Sequence, residues 1–141
     1  MPLAQLDNLV RARQLKAEAV AQGEFDTLLR SGQARLKDAR NAALSVDSRF
    51  DLAYNAAHAL CLAALRWHGY RAENRYLVFQ CLPHTLGLSA DEWRALDDAH
   101  QQRNLAEYEA RANVTEALVG ATIRVAEEVE RRVIALGPVS K

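Results

Sequence analysis

The sequence predicts an all-α protein, an antiparallel bundle of four or five main helices with one short additional helix. Half of the residues are hydrophobic but only 6% are aromatic, and Ala and Leu dominate, which is typical of helices rather than strands. Apolar residues recur at helical spacing, and no strand-like alternation stands out. The length of 141 residues predicts a single domain over residues 1–141.

The first two predicted helices occupy the N-terminal third of the chain. Apolar residues at helical spacing predict a first helix over residues 3–20, which Gly23 ends. A second helix is predicted over residues 25–43. It contains Gly32, at a cost of about 1 kcal/mol in helix propensity.

The third and fourth predicted helices have clear end signals. The third begins at an N-cap near Ser45 or Asp47 and ends at Gly69, a residue type favoured just after a helix. A short fourth helix is predicted over residues 74–82, where Pro83 blocks its continuation.

The last two predicted helices begin near Ser89 and near Thr115. Ser89-Ala-Asp-Glu92 is a capping box that opens a fifth helix. A sixth begins near Thr115, or follows a mere kink at Asn113, and ends at Gly137-Pro138.

Composition and charge exclude several classes of protein. Cys61 and Cys81 lack a metal or redox spacing and are predicted to be buried thiols in a reducing cytosol, so the expected location is cytoplasmic. Neither a signal peptide nor a membrane span is expected, because no apolar run approaches about 18 residues. A net charge of zero argues against coating nucleic acid by bulk electrostatics. No cofactor or metal site is predicted.

Polar residues form one stripe on the third predicted helix. Residues 52–65 are apolar nearly all round, so this helix is expected at the centre of the bundle. At helical spacing, Asp47, Asp51, Asn55 and His58 fall on one side. A polar stripe on a buried helix needs partners, although a core histidine with satisfied hydrogen bonds is the plainer interpretation of His58.

Arg103 lies in the middle of the apolar face of the fifth predicted helix. That face is formed by Trp93, Leu96, Ala99, Ala106 and Ala110. His100 and Glu107 flank Arg103, and Asn104 and Tyr108 lie at the edge. Because burying an unpaired guanidinium is very costly, Arg103 is predicted to be ion-paired, at the mouth of a groove or at a subunit interface.

Carboxylates on two helices could pair with Arg103. Glu107 stands four residues further along the same helix, and Asp47 and Asp51 can reach Arg103 if the third and fifth helices face each other. A structural ion pair and a contact with a ligand are equally open as roles for Arg103.

The third helix, SRFDLAYNAAHALCLAALRWHGYR, followed by Arg103-Asn104, resembles the HEPN-domain family over residues 47–110. HEPN proteins are small helical bundles, often dimeric. Many are toxin ribonucleases, and others are partners of minimal nucleotidyltransferases. The resemblance implies a homodimer in a toxin–antitoxin or defence setting, with RNA, a nucleotidyltransferase or an antitoxin as possible partners.

The chain departs from the motif of the active HEPN ribonucleases, an Arg followed after four to six residues by a His. Arg103-Asn104 matches its start, but Tyr108 stands where a histidine is expected, and a tyrosine with a pKa of about 10 is a poor base at neutral pH. Arg94 and His100, with five residues between them, also satisfy this spacing, which is loose enough to be met by chance. His100 lies one turn before Arg103, so His100, Arg103 and Tyr108 are the candidate residues of a remodelled catalytic site.

Three functions remain open from the sequence. The first is a non-catalytic or degenerate HEPN-like protein that binds a nucleotidyltransferase, an antitoxin or RNA. The second is a metal-independent ribonuclease toxin with a rearranged histidine, and the third is a structural dimerisation module. Candidate ligand-binding residues complete the predicted groove: Asp47, Asp51, Asn55, His58 and Asn104.

Overall fold

A computed structural model describes the backbone of residues 4–72, 74–108 and 114–139, and their side chains except at 75, 76, 83, 84 and 106–108. Helices dominate this part of the chain, so the predicted all-α bundle is confirmed. In chain order the elements are α1 (Ala4–Arg11), β1 (Leu15–Ala17), α2 (Gln22–Ala39), α3 (Val46–Trp67), β2 (Tyr70–Ala72), α4 (Arg75–Gln80), α5 (Leu82–Thr85), α6 (Ala90–Tyr108) and α7 (Glu116–Leu136).

Helix α3 is the centre of the bundle, as its nearly continuous apolar sequence predicts. It contacts α2, α4, α5, α6, α7 and β2. The side chain of Ser45 accepts a hydrogen bond from the Ser48 N–H at 3.1 Å, so Ser45 is the N-cap. Gly69 follows the helix with a φ of 90°, a conformation that favours glycine.

The main helices alternate in direction. Helix α2 runs antiparallel to α3 and approaches it closely at Gly32, where an added Cβ would lie 2.5 Å from Leu60 Cγ. The ion pair of Arg40 with Glu127 joins the end of α2 to the middle of α7. Helix α6 runs antiparallel to α7, as the 3.5 Å contact between Arg132 and the Glu92 carboxylate near the start of α6 indicates.

The prediction of one helix over residues 3–20 is wrong beyond Arg11. Helix α1 ends in a Schellman motif, in which the N–H of Arg13 bonds to the Val10 carbonyl and that of Gln14 to the Leu9 carbonyl, each at 2.9 Å. The chain then turns into β1. The expected terminator, Gly23, lies inside α2 instead.

A short ladder explains why the first helix stops. Strand β1 pairs antiparallel with β2 in the register Leu15↔Ala72, Lys16↔Arg71 and Ala17↔Tyr70. Leu15 is buried while Lys16 and Ala17 are exposed. This pairing joins segments far apart in sequence, so helical periodicity within residues 3–20 carried no information about it.

Helices α4, α6 and α7 begin at or next to the residues where the sequence predicts helix starts, and each start has a side-chain cap. Asn74 caps α4 through a 2.9 Å bond from the Leu77 N–H, and Thr115 caps α7 in the same way. The capping box is confirmed, because the Ser89 N–H donates to the Glu92 carboxylate and the Glu92 N–H donates to the Ser89 hydroxyl. Position 83, predicted to end a helix, instead lies in the first turn of α5, where a proline is tolerated.

Across the described ranges, every helix is too short or too polar to cross a membrane.

Candidate functional site

Polar and aromatic side chains meet between α3, α4 and α6. We call this group the Tyr54 cluster, and it comprises Tyr54, His58, Phe79, His100, Arg103 and Asn104. The sequence left open whether the helices now called α3 and α6 face each other. They do, and this cluster lies between them.

The Tyr54 hydroxyl joins the two helices. Tyr54 is fully buried, and its hydroxyl lies 2.9 Å from Nδ1 of His100. A buried phenol needs a hydrogen-bond partner, and the histidine on the facing helix supplies one. In the sequence, Tyr54 stands within a nearly continuous apolar helix. The requirement of its hydroxyl was the signal that could have singled it out.

The second ring nitrogen of His100 is also engaged within the protein. Nε2 lies 3.3 Å from the amide nitrogen of Asn104, one turn later on α6. A neutral imidazole donates at one nitrogen and accepts at the other. If Nε2 of His100 accepts a hydrogen bond from the Asn104 amide, Nδ1 carries the proton and donates to the Tyr54 hydroxyl. If the Asn104 amide is rotated, Nε2 donates to its oxygen and Nδ1 accepts from the hydroxyl.

Arg103 belongs to the same cluster through the ring of Tyr54. Its guanidinium carbon lies 5.4 Å from the ring centroid, within the range of a cation–π interaction. The side chain is half-buried. The structure thus brings His100, Arg103 and Asn104 together around one buried tyrosine.

The predicted polar stripe on α3 is only partly at this site. Asp47 and Asp51 are exposed, and the Asn55 amide donates to the backbone carbonyl of Asp51 at 2.9 Å. Within the described residues, ion pairs between either aspartate and Arg103 are not formed. The two carboxylates are therefore not the partners of Arg103 that the sequence suggested.

His58 lies in the cluster but makes different contacts. Its ring packs edge-on against Phe79 at 6.0 Å, and Phe79 contacts the His100 ring at 5.9 Å. His100 and Arg103 thus share a contact with Tyr54.

Three further residues, Glu107, Tyr108 and Arg94, were predicted at or beside this site. The side chains of Tyr108 and Glu107 fall outside the described residues. Arg94, the alternative start of a motif ending at His100, is 68% exposed and pairs with Asp91 at 3.3 Å. Although the spacing of Arg94 and His100 fits the motif, the Arg94 guanidinium is therefore not part of the Tyr54 cluster.

A second polar cluster, which sequence analysis missed, surrounds Arg66 at the end of α3. Arg66 is completely buried, and its guanidinium donates to the carbonyls of Glu18, Ala19 and Tyr70 at 2.8–3.1 Å. It also bonds to the Glu24 carboxylate at 2.9 Å. We call Arg66, Arg71, Glu18 and Glu24 the Arg66 cluster.

Charge is balanced inside the Arg66 cluster. Hydrogen bonding from Arg71 is the main reason that the pKa of Glu18 is lowered, and hydrogen bonding from Arg66 lowers the pKa of Glu24. Nearby, the Tyr70 hydroxyl donates to Asp7 at 2.5 Å, and burial together with this bond raises the pKa of Tyr70 to about 12. With every nitrogen of the Arg66 guanidinium directed at an internal acceptor, this cluster is a structural tie.

The chemistry available at the Tyr54 cluster is that of a histidine beside an arginine. An imidazole can transfer protons near neutral pH, and a guanidinium can stabilise charge on phosphate oxygens. In the part of the chain that the structure describes, His, Cys, Asp and Glu side chains do not form a group of three or more able to hold a metal ion. Cys61 and Cys81 are buried, and burial raises the pKa of both thiols, to about 11 for Cys81.

Comparison of the chain with protein-family models, with curated proteins and with solved structures finds no match.

Proposed function

We propose that this chain is a HEPN-like helical protein without nuclease activity, which acts by binding a protein partner of the nucleotidyltransferase or antitoxin class. The observation that carries the proposal is the state of His100. Both of its ring nitrogens are hydrogen-bonded within the protein, to Tyr54 and to Asn104. A general base needs a nitrogen directed at the substrate hydroxyl, so this histidine serves to join helices α3 and α6.

Charge supports a protein partner rather than RNA at α6. Residues 86–110 carry two basic and six acidic side chains, and Asp91 and Asp98 are exposed on α6. An acidic face repels a phosphate backbone and suits a basic protein surface. The homodimer that the resemblance implies belongs to the same proposal.

Two measurements on the purified chain test the proposal. RNA incubated with the protein should stay intact, and expression of the chain should leave growth unaffected. If a gene beside this one encodes a nucleotidyltransferase or antitoxin, its product should co-purify with this chain when both are expressed. Asp91→Lys combined with Asp98→Lys should weaken that binding, whereas Asp47→Lys, an exposed charge reversal on α3, should not.

A ribonuclease is the second candidate, and the bond from Tyr54 to His100 favours it. Catalytic histidines are held in orientation through one ring nitrogen, and the buried Tyr54 hydroxyl fixes Nδ1 in this way. If Asn104 turned aside, Nε2 of His100 could take the proton of an RNA 2′-hydroxyl as its oxygen attacks the phosphorus, while Arg103 stabilises the pentacoordinate phosphate. The imidazolium would then return the proton to the leaving 5′ oxygen as its bond to phosphorus breaks, which leaves a 2′,3′-cyclic phosphate.

Single substitutions separate the candidates. For a ribonuclease, expression should arrest growth, and His100→Ala and Arg103→Ala should each restore it while Arg94→Ala should not. Harmless expression together with intact RNA would eliminate the ribonuclease. If Arg103→Ala lowers only the stability of the chain and leaves both RNA and partner binding unchanged, the dimerisation module is the better hypothesis.

A further inference from the structure

A groove with a volume of about 530 Å³ lies between the start of α2 and the end of α7. Its apolar lining comes from both helices and from the segment that follows α7: Phe25, Leu29, Val133, Ile134 and Pro138. Phe25 and Val133 are buried, whereas Ile134 is 53% exposed, more than any other large hydrophobic side chain of the described residues. A pocket of this size with a mostly apolar lining is the usual form of a small-molecule site.

Hydrogen bonds hold the wall of the groove that follows α7. The Trp67 indole donates to the carbonyls of Gly137 and Pro138 at 3.1 and 3.2 Å. The Val139 N–H donates to the side chain of Gln22, at the start of α2, at 2.8 Å. These bonds join the segment after α7 to α3 and α2, so the groove exists before a ligand binds and little binding free energy is lost to ordering it.

Among the described residues that line the groove, Asp26 alone is charged. Gln22 orients its carboxylate, because the Gln22 amide donates to Oδ1 of Asp26 at 2.8 Å. Arg30 stands one turn later on α2, but its guanidinium donates to the Thr27 hydroxyl instead. In the part of the chain that the structure describes, Asp26 takes part in no ion pair, so a positioned and uncompensated negative charge lies beside an apolar surface.

We infer that the groove binds an organic cation with an apolar body, a primary alkylammonium ion. The ammonium group donates a charge-assisted hydrogen bond to Asp26, and the alkyl chain lies along the apolar lining. An anion would be repelled by the carboxylate, and a neutral chain would partly desolvate it without giving it a partner. From residue 22 to residue 29 the groove follows α2 for about 10 Å, close to the length of an extended eight-carbon chain.

A protein partner matches this groove less well. A stable protein interface buries about 800 Å² on each partner and needs several apolar anchors. In the described ranges the exposed large hydrophobic side chains are Ile134 and Leu44, and Leu44 lies beyond the other end of α2. A single exposed anchor suits a small ligand. The inference does not depend on the proposed function, whose partner is placed on α6, so either can fail alone.

A plainer role for Asp26 is to complement the partial positive charge at the N-terminus of α2. Glu24, in the first turn, is already placed for that role, and Asp26 stands beyond it. If the plainer role were the whole account, Asp26→Asn would change stability alone and every ligand would bind the variant and the parent alike.

The experiment titrates the full chain with 1-aminooctane at neutral pH by isothermal titration calorimetry, with 1-octanol and octanoate in parallel. Ligand efficiencies typical of small molecules predict a dissociation constant of roughly 10–100 µM for 1-aminooctane. Octanol should bind about tenfold more weakly because it lacks the charge that Asp26 meets, and octanoate should bind more weakly still. In the ¹H–¹⁵N NMR spectrum, shifts of the Gly137 and Val139 amide signals should place the ligand in the groove.

Matched variants separate the charge from the apolar lining. Asp26→Asn should weaken 1-aminooctane about tenfold and leave octanol unchanged, so that the two ligands bind alike. Asp38→Asn removes an exposed carboxylate near the other end of α2 and should change neither affinity. Ile134→Ala should weaken both ligands by a similar factor, roughly threefold.

Several results would overturn the inference. One is equal affinity of the parent for 1-aminooctane and octanol, and another is equal affinity of the parent and Asp26→Asn for 1-aminooctane. A third is the absence of shifts in the Gly137 and Val139 signals at about 1 mM ligand, well above the expected dissociation constant. A fourth, from sedimentation equilibrium, is a dimer that Ile134→Lys dissociates, because a second copy of the chain would then cover the groove.

Discussion

Replacing Arg66 with methionine tests whether the buried arginine holds the end of α3 to the N-terminal segment. The substitution keeps a long side chain but removes every donor. It leaves the carbonyls of Glu18, Ala19 and Tyr70 without the bonds they accept at 2.8–3.1 Å. An acceptor that loses its partner in a buried setting costs about 1 kcal/mol or more.

The carboxylates contribute less to this loss. Glu18 and Glu24 keep Arg71 as a partner, and their side chains are 39% and 34% exposed, so solvent replaces part of what they lose. The three carbonyls left without donors therefore account for most of the lost stability. Arg66→Met should lower the free energy of unfolding by about 3–5 kcal/mol. For a chain of this length the melting temperature should fall by roughly 10 °C.

Urea denaturation followed by circular dichroism measures this change. Arg94→Met is the matched control, because its side chain is 68% exposed and its single ion pair lies within one helix. It should change the unfolding free energy by less than about 0.5 kcal/mol. A loss below about 1 kcal/mol for Arg66→Met, or equal losses for the two variants, would refute the structural role assigned to Arg66.

Three further predictions follow from the packing, the charges and the caps. Gly32→Ala should destabilise the protein by about 1–2 kcal/mol, although alanine has the higher helix propensity, because the new Cβ would lie 2.5 Å from Leu60 Cγ. In a Leu60→Ala background the same change should be neutral or stabilising. Additive losses of stability in this double-mutant cycle would contradict the contact. The lowered pKa values of Glu18 and Glu24 give stability that is present above their ordinary pKa of 4.5 and is lost as the pH falls below it. Urea denaturation from pH 7 to pH 3 should show this loss, and Glu24→Gln should make the unfolding free energy depend less on pH. The same pH dependence in the variant as in the parent would argue against the ion pairs. Ser89→Ala should cost about 1 kcal/mol in thermal denaturation because it removes one half of a capping box, and a change near zero would mean that solvent replaces the cap.

Helices whose ends are fixed by local chemistry could be predicted from the sequence. The Ser45 and Thr115 caps and the Ser89–Glu92 box are decided by residues three apart, so a short window contains the whole cause. The central position of α3 could likewise be predicted, because its apolar surface extends around the helix and requires neighbours on every side.

Features that depend on distant segments could not be predicted. Strand β1 exists because residues 15–17 meet residues 70–72, and nothing in either segment alone distinguishes it from helix or loop. Arg66 resembles any basic residue in the last turn of a helix until Glu18 and Glu24 are brought beside it from other elements. At the candidate site, the sequence identified His100, Arg103 and Asn104 but not Tyr54, the side chain that connects them.

The attachment of the N-terminal segment to α3 also determines which parts of the protein unfold together. The Glu18 N–H donates to the Gly69 carbonyl at 2.9 Å, and the Glu18 carbonyl accepts from Arg66, so this segment cannot detach without exposing a buried guanidinium. Detachment of residues 15–19 as an independent event is therefore costly. Native-state hydrogen exchange should find the Glu18 amide opening in the same cooperative unit as the core of α3, although it lies on the periphery of the bundle.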